Sequence, residues 1–202
     1  MTFLCDFDGT VATRDIGAAL LARFGRPAWR LWDVLAHRGA LPLRVAQDLQ
    51  WRGVRASIQE LRAEAFRVGR VRPGFEEFLA KTAADGHRII VVSSGFSFYI
   101  DAVLGPLRSR VELIANDLLP AVKGFRIAWA PLRYACASHR PCKVAVLRKL
   151  PGSTVLVGDG VSDTCGLRSS ATIFAVEGSF LARLASAQRR PFTAFTDFRA
   201  VV

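Results

Sequence analysis

The run TFLCDFDGT at residues 2 to 10 decides how the chain is read. Residues 2 to 7 are largely apolar and give way to D-G-T, the pattern of a buried strand delivering its last residues into a loop. Working outward, comparable runs lie at 88 to 95 (RIIVVSSG), 154 to 160 (TVLVGDG) and 172 to 178 (TIFAVEG). Each is short, rich in β-branched residues and closed by Gly or Ser. Helical patterns separate them, GFEEFLAKTAADG at 74 to 86 and PCKVAVLRKLPG at 141 to 152. That alternation predicts an α/β fold around a parallel sheet.

Residues 14 to 72 carry no strand signal and several helical pieces. IGAALLARFG (16 to 25) has an apolar face and a closing Gly, and Pro27 is placed to start the next helix, PAWRLWDVLAHRG. Ser57 and Glu60 are spaced as a capping box ahead of LRAEAF. The stretch reads as a small helical cap inserted after the first strand, with a core formed by residues 1 to 13 and 73 to 202. LLPAVKGFRIAWAP (118 to 131) looks like a two-strand excursion from that core.

At 202 residues, 51% hydrophobic and 22% charged, the chain has the composition of a folded domain and not of a disordered one. Its net charge is +11, of which the insert carries +7 from twelve arginines against five acidic residues. An excess of that kind implies an anionic partner without choosing among a phosphorylated metabolite, a nucleic acid and an acidic surface. Four cysteines without a CxxC pair suit a reducing compartment, and the cytoplasm is expected. MTFLCDFDGT has two aspartates by residue 8 and no basic start, so no signal peptide is expected, nor does any apolar run reach a membrane span.

Three strand ends deliver polar residues that packing does not explain: Asp6 and Asp8, then Ser93 and Ser94, then Asp159 and Asp163. In an open parallel sheet such ends gather at one carboxyl edge, where ligands bind. Four carboxylates meeting there repel one another unless a cation sits among them. With oxygen donors only, and no histidine in those loops, the expected ion is Mg²⁺. A carboxylate, a second carboxylate two residues on, a hydroxyl and a lysine beside Mg²⁺ are equipped for phosphoryl transfer through an aspartyl-phosphate.

These residues carry a resemblance. Asp6-Phe7-Asp8-Gly9-Thr10, VVSSG at 91 to 95, Lys143, and Gly158-Asp159-Gly160-Val161-Ser162-Asp163 resemble the four ordered motifs of the haloacid dehalogenase superfamily. The resemblance implies a Rossmann-like core, with Asp6 as nucleophile and metal ligand and Asp8 as general acid/base whose backbone carbonyl faces the ion. It further implies that Ser93 binds the phosphoryl oxygens, that Lys143 neutralises nucleophile and phosphate, and that Asp159 holds Mg²⁺. Asp163 would orient a metal-bound water or bind the ion. Backbone N–H groups of Phe7, Asp8 and Ser94 would complete the phosphate cradle.

Aspartate at the second position of the first motif is similar to superfamily phosphatases and phosphomutases and unlike dehalogenases. The helical insert resembles the cap of the phosphoserine phosphatase-like branch, in which Asp15 falls where an acidic residue often faces the substrate. Ser162, the S-S-G of the second motif, Cys142 before Lys143, and the tail PFTAFTDF (191 to 198) are similar to the 2-hydroxy-3-keto-5-methylthiopentenyl-1-phosphate phosphatase family. The expected function is hydrolysis of a small phosphorylated metabolite by a monomer or homodimer. A phosphoserine phosphatase and a phosphotransferase or phosphomutase are the alternatives. A basic nucleic-acid-binding module is the rival of another class, although no nucleic-acid motif is present and specific binding is not expected.

Some residues have blander readings. Asp15 suits the first turn of a helix, and Lys149 rivals Lys143 within one helix. Tryptophans 29, 32 and 51 suit the interior of the cap, and most insert arginines suit solvated faces. Cys136, His139, Cys142 and Cys165 are of types that zinc accepts. Their spacing lacks paired knuckles, and idle thiols are expected.

Overall fold

A computed structural model describes residues 1–122, 124–169 and 171–201. Its centre is a seven-stranded sheet in the order β4-β3-β2-β1-β5-β6-β7. The strands are β1 (Thr2–Cys5), β2 (Arg88–Phe96), β3 (Glu112–Pro120), β4 (Phe125–Ala128), β5 (Thr154–Gly158), β6 (Thr172–Val176) and β7 (Thr193–Phe195). All neighbours are parallel except β4, which returns antiparallel along β3. The first strand therefore lies in the middle. Cys5 pairs with Val91 of β2 on one side and with Val157 of β5 on the other, so the residues that follow each strand emerge together. The chain winds outward first through β2 and β3 and later through β5 and β6, which makes the ends of β1 and β5 the point where the connections diverge.

Period-two alternation distributes the strand residues between two layers. Phe3, Cys5, Val91, Val155 and Val157 join the larger apolar cluster, whereas Leu4, Ile90, Val92 and Leu156 join a second one with Val146 and Leu147. Burial on both faces accounts for the unbroken apolar character of β1, as expected of an inner parallel strand. The four insert helices are α1 (Ile16–Phe24), α2 (Trp29–His37), α3 (Leu43–Trp51) and α4 (Ile58–Val68). Ile16, Leu20, Trp51, Leu61 and Ala65 belong to the same cluster as Phe3 and Val91, so apolar packing runs without a break from sheet to insert. Among the described residues, no helix is long and apolar enough to cross a membrane.

The expected strands and the Ser57–Glu60 box are present. Glu60 accepts the Ser57 amide at 2.7 Å while its own amide donates to Ser57 Oγ at 3.2 Å. Several boundaries differ from the sequence expectation for local reasons. Pro27 opens a turn, with the amides of Trp29 and Arg30 on the carbonyls of Arg26 and Pro27, and α2 begins at Trp29. The helix expected over 141 to 152 is α7 (Lys143–Leu147): the Cys142 amide is taken by Tyr134 O at 2.6 Å, and the far end tightens ahead of Pro151. The excursion expected from 118 begins at 112, because its first arm is the sheet strand β3, whose apolar run is broken by Asn116 and Asp117. β7 is three residues long, too short to register as a run.

The remaining helices are α5 (Phe75–Ala84), α6 (Ser97–Leu104) and α8 (Phe180–Ala187). Near the C-terminus Phe198 is fully buried, with ring centroids 4.9 Å from Phe75, 5.2 Å from Phe78 and 5.3 Å from Phe195. It joins the last turn of the chain to α5 and β7. Truncation there empties a site bounded by three other rings, so Phe198→Ala is expected to lower the unfolding free energy by about 3–5 kcal/mol, read from equilibrium urea unfolding.

Candidate active site

After Cys5 the chain leaves β1 through a tightly wound turn, Phe7–Val11, held by Ala12 N on Phe7 O at 2.8 Å. Gly9 has φ +78°, and a Cβ there would overlap the Asp159 carboxylate. Arg72 braces this turn from the end of the insert. Its guanidinium donates to Thr10 O at 2.7 Å, Gly9 O at 2.6 Å and Thr196 O at 3.2 Å. Every other arginine of the insert is exposed, in keeping with solvated faces.

Asp6 is buried at the floor of this edge. Lys143, the first residue of α7, is 1% exposed and donates to Asp6 Oδ1 at 2.6 Å and to Ser162 Oγ at 2.9 Å. The same ammonium is 2.6 Å from Asp163 Oδ1, an ion pair whose angles fall short of a hydrogen bond. The rival Lys149 is exposed. Asp163 Oδ2 accepts the amides of Asp159 and Gly160 at 3.0 and 2.9 Å, and Thr10 Oγ1 donates to Asp159 Oδ1 at 2.8 Å. Thr10 thereby fastens the first loop to the fourth motif.

Asp6, Asp159 and Asp163 each place a carboxylate oxygen within 4.8 Å of the others. Burial raises the pKa of Asp6 well above the ordinary carboxylate range; Lys143 opposes the rise, and Asp163 and Asp159 add to it. Asp159 is pushed up to about 6, first by burial and then by Asp163. For Lys143 burial acts downward, but the charges of Asp163 and Asp6 outweigh it and the ammonium is held above its usual value. Three carboxylates against one ammonium leave two negative charges, which a hard divalent cation would neutralise. Asp6 Oδ2 and Asp159 Oδ2 accept no hydrogen bond from the described residues, and the donor set, oxygen throughout, fits Mg²⁺.

The carboxyl group of Asp8 points elsewhere. Its Oδ1 accepts the Ile16 amide at 2.8 Å and its Oδ2 accepts the Tyr99 hydroxyl at 2.5 Å, so the side chain stands apart from the carboxylate trio. Burial, and then the charge of Asp15, push Asp8 up to about 8. Asp15 caps α1 by accepting the Ala18 amide at 2.7 Å, and it also lines the cavity, so the helix-start and cavity-facing readings coexist.

On the β2 side, Ser93 Oγ accepts the Gly95 amide at 3.0 Å and Ser94 Oγ is buried without a hydrogen-bond partner among the described residues. The Ser94 carbonyl is fixed by Gln47 of α3 at 2.9 Å and by Asn116 of β3 at 2.8 Å. A Cβ at Gly95 would overlap the Tyr99 hydroxyl, so this glycine admits the ring to Asp8. Tyr99, Gln47, Asn116 and Arg72 were not singled out in the sequence. Each acts through a pairing across distant segments, and the one local signal is the S-S-G-F-S-F-Y spacing that places Tyr99 on the helix after the second motif.

Asp6, Asp8, Ser93, Ser94, Tyr99 and Asp159 line a cavity of about 580 Å³ between the sheet edge and the insert. The insert contributes Leu21, Trp29, Ala36, Leu41, Leu43 and Trp51, with no arginine among the lining residues. Its polar contributions are Asp15, Asp33, His37, Gln47 and Gln50.

Comparison with known proteins agrees with this geometry. The 2-hydroxy-3-keto-5-methylthiopentenyl-1-phosphate phosphatase of Brevibacillus brevis is 25% identical over 214 residues, spanning 100% of this chain and 93% of that protein. The protein of the same name from an Exiguobacterium species is 30% identical over 171 residues, covering 79% of this chain and 77% of its own length. Among solved structures, a phospho-aspartyl intermediate analogue of phosphoserine phosphatase shares the fold with a TM-score of 0.68 at 16% identity, over 99% of this chain and 96% of the other. Residues 3–168 match the haloacid dehalogenase-like hydrolase family, with the four motif segments inside the matched region, and the chain belongs to that family.

Proposed function

We propose that the chain is a Mg²⁺-dependent phosphoric monoester hydrolase that works through an aspartyl-phosphate at Asp6, with 2-hydroxy-3-keto-5-methylthiopentenyl 1-phosphate as its substrate. The observation that carries this reading is the buried Asp6–Lys143 pair, set beside Asp159 and Asp163 at the floor of a cavity with apolar walls. In this reading residues 14 to 72 form a cap over a core of residues 1 to 13 and 73 to 202, in a cytoplasmic monomer or homodimer.

An Asp6 oxygen attacks phosphorus and the bond to the ester oxygen breaks. Lys143 favours the ionised form of Asp6 against the effect of burial and holds the carboxylate in place. Asp8 carries a proton at neutral pH, held there by burial, and gives it to the departing oxygen. The Tyr99 hydroxyl and the Ile16 amide fix the carboxyl group for that transfer. Water then attacks the phosphorus of the acyl phosphate, its proton passes to Asp8, and phosphate leaves with Asp6 restored. Ser93, the unpartnered Ser94 hydroxyl, and the amides of Phe7, Asp8 and Ser94 cradle the phosphoryl oxygens. The side chains of Asp6, Asp159 and Asp163, with the Asp8 carbonyl, would hold Mg²⁺, which when bound neutralises charge on the phosphoryl group.

The cavity supports the substrate assignment by its chemistry. A methylthio tail suits walls made by Leu21, Trp29, Leu41 and Trp51, whereas the carboxylate of phosphoserine would meet no arginine or lysine among the lining residues. The apolar walls also favour a small metabolite over a polynucleotide.

Asp6→Asn is expected to lower phosphate release by about 10⁴-fold or more while the far-ultraviolet circular dichroism is unchanged. Near-normal turnover in that variant would remove the covalent step. Asp8→Asn is expected to slow an alkyl phosphate ester by about 10²–10⁴-fold and a nitrophenyl ester, whose leaving group needs no proton, far less. Because the acid form of Asp8 is the active one, the burst of released alcohol in the wild type is expected to fall as pH rises through about 8. Release from the methylthiopentenyl phosphate should exceed release from phosphoserine, vanish in EDTA and return with Mg²⁺. Accumulation of a new phosphoester instead of free phosphate would mark a phosphotransferase.

A further inference from the structure

The structure assembles a second cluster of metal-binding side chains that the phosphatase chemistry leaves unused. Cys136, Cys142 and Cys165 bring their sulfur atoms within 4.8 Å of one another, and all are free thiols. The His139 ring joins them: its Nδ1 lies 3.7 Å from Cys136 Sγ and 3.4 Å from Cys165 Sγ. In a tetrahedral zinc site, bonds of about 2.3 Å to sulfur and about 2.0–2.1 Å to nitrogen place sulfur and nitrogen about 3.6 Å apart. The two observed separations bracket that value. We propose that Cys136, His139, Cys142 and Cys165 form a structural zinc site that joins the loop before Lys143 to the short helical segment that carries Asp163.

Backbone geometry supports the assignment. Cys136 and His139 are linked by a tight turn, with the Cys136 amide on His139 O at 3.0 Å and the His139 amide on Cys136 Sγ at 3.2 Å. An amide directed at sulfur stabilises the thiolate form that a metal requires. Cys142 and His139 are buried, whereas Cys136 reaches the surface, which leaves a way in for the ion. Three thiolates and one imidazole around a single ion suit zinc, whereas the oxygen-only trio at Asp6 suits a harder cation, so the two sites are chemically distinct. The irregular C-x₂-H-x₂-C spacing is completed by Cys165 on the short helical segment Val161–Arg168, a pairing that no local pattern announces.

The position of the cluster gives it a structural purpose. Cys142 immediately precedes Lys143, and Cys165 lies two residues beyond Asp163. The ion would cross-link the two short segments whose side chains meet in the Lys143–Asp163 pair at 2.6 Å. A five-residue helix such as α7 has little stability of its own, and a metal cross-link at its start offsets that. Binding releases the thiol protons to solvent, so the affinity falls as pH falls.

The test uses the full chain, purified without chelator from cells supplied with zinc and dialysed against metal-free buffer. Elemental analysis is expected to find about one zinc per chain, released by a mercurial thiol reagent and read with a chromogenic zinc indicator. Cys136→Ser, at the surface, should retain its circular dichroism yet lose zinc by about tenfold or more, and His139→Ala should bind it more weakly than the wild type. Cobalt in place of zinc should give thiolate charge-transfer absorption and the visible bands of a tetrahedral site. Folded wild type with a negligible zinc content and all three thiols open to a thiol reagent would overturn the site. So would iron in place of zinc, or a disulfide between two of the three cysteines. Metal content and absorption are independent of turnover, so failure here leaves the phosphatase reading intact, and the reverse also holds.

Discussion

The buried ammonium of Lys143 is the constraint around which the rest of the site is arranged. Three carboxylates are gathered at one sheet edge, and burial pushes two of them, Asp6 and Asp159, toward the neutral form. One lysine, reaching Asp6 and Asp163 at 2.6 Å and Ser162 at 2.9 Å, offsets part of that repulsion and sets the positions of the first and fourth motifs relative to each other. The remaining negative charge is one that a divalent cation would neutralise.

The sheet is what allows these groups to meet. β1 lies between β2 and β5, and the in-register pairings of Cys5 with Val91 and Val157 bring three strand ends to one line. Glycines then admit side chains where a Cβ would block them: Gly9 leaves room for Asp159, Gly158 for Asp163, and Gly95 for the Tyr99 hydroxyl beside Asp8. The same carboxyl edge thus holds two kinds of acid. Asp6 is paired with a cation. Asp8 is hydrogen-bonded by a hydroxyl and an amide without a cation beside it, and burial and the charge of Asp15 push its pKa up to about 8. That separation of environments supports the proposed division of nucleophile and acid between two residues with the same side chain.

The insert forms one side of the cavity while remaining part of one continuous apolar core. Trp51 packs edge-on to Phe96 with centroids 4.7 Å apart, and Gln47 fixes the Ser94 carbonyl, so α3 is coupled directly to the second motif. The strong positive charge of the insert, which in the sequence suggests an anionic partner, resides on outward faces. Only Arg72 among its arginines turns inward, and it braces the backbone of the first loop without entering the cavity lining.

Much of this was legible in the chain itself. Short apolar runs closed by Gly or Ser identified the inner strands, because residues buried on both faces of a parallel sheet leave an unbroken apolar signature. The polar residues at their ends marked Asp6, Asp8, Ser93, Asp159 and Asp163 as candidates, because nothing about packing calls for such residues there. The first part of β3 and all of β7 were hidden, the first because Asn116 and Asp117 interrupt its run and the second because three residues make no pattern. The Tyr99 contact with Asp8, the Arg72 brace and the meeting of Cys165 with Cys136, His139 and Cys142 were decided by the tertiary structure alone. Each joins segments far apart in sequence, and a local pattern records which residues a strand or helix contains but not which distant side chain comes to rest against it.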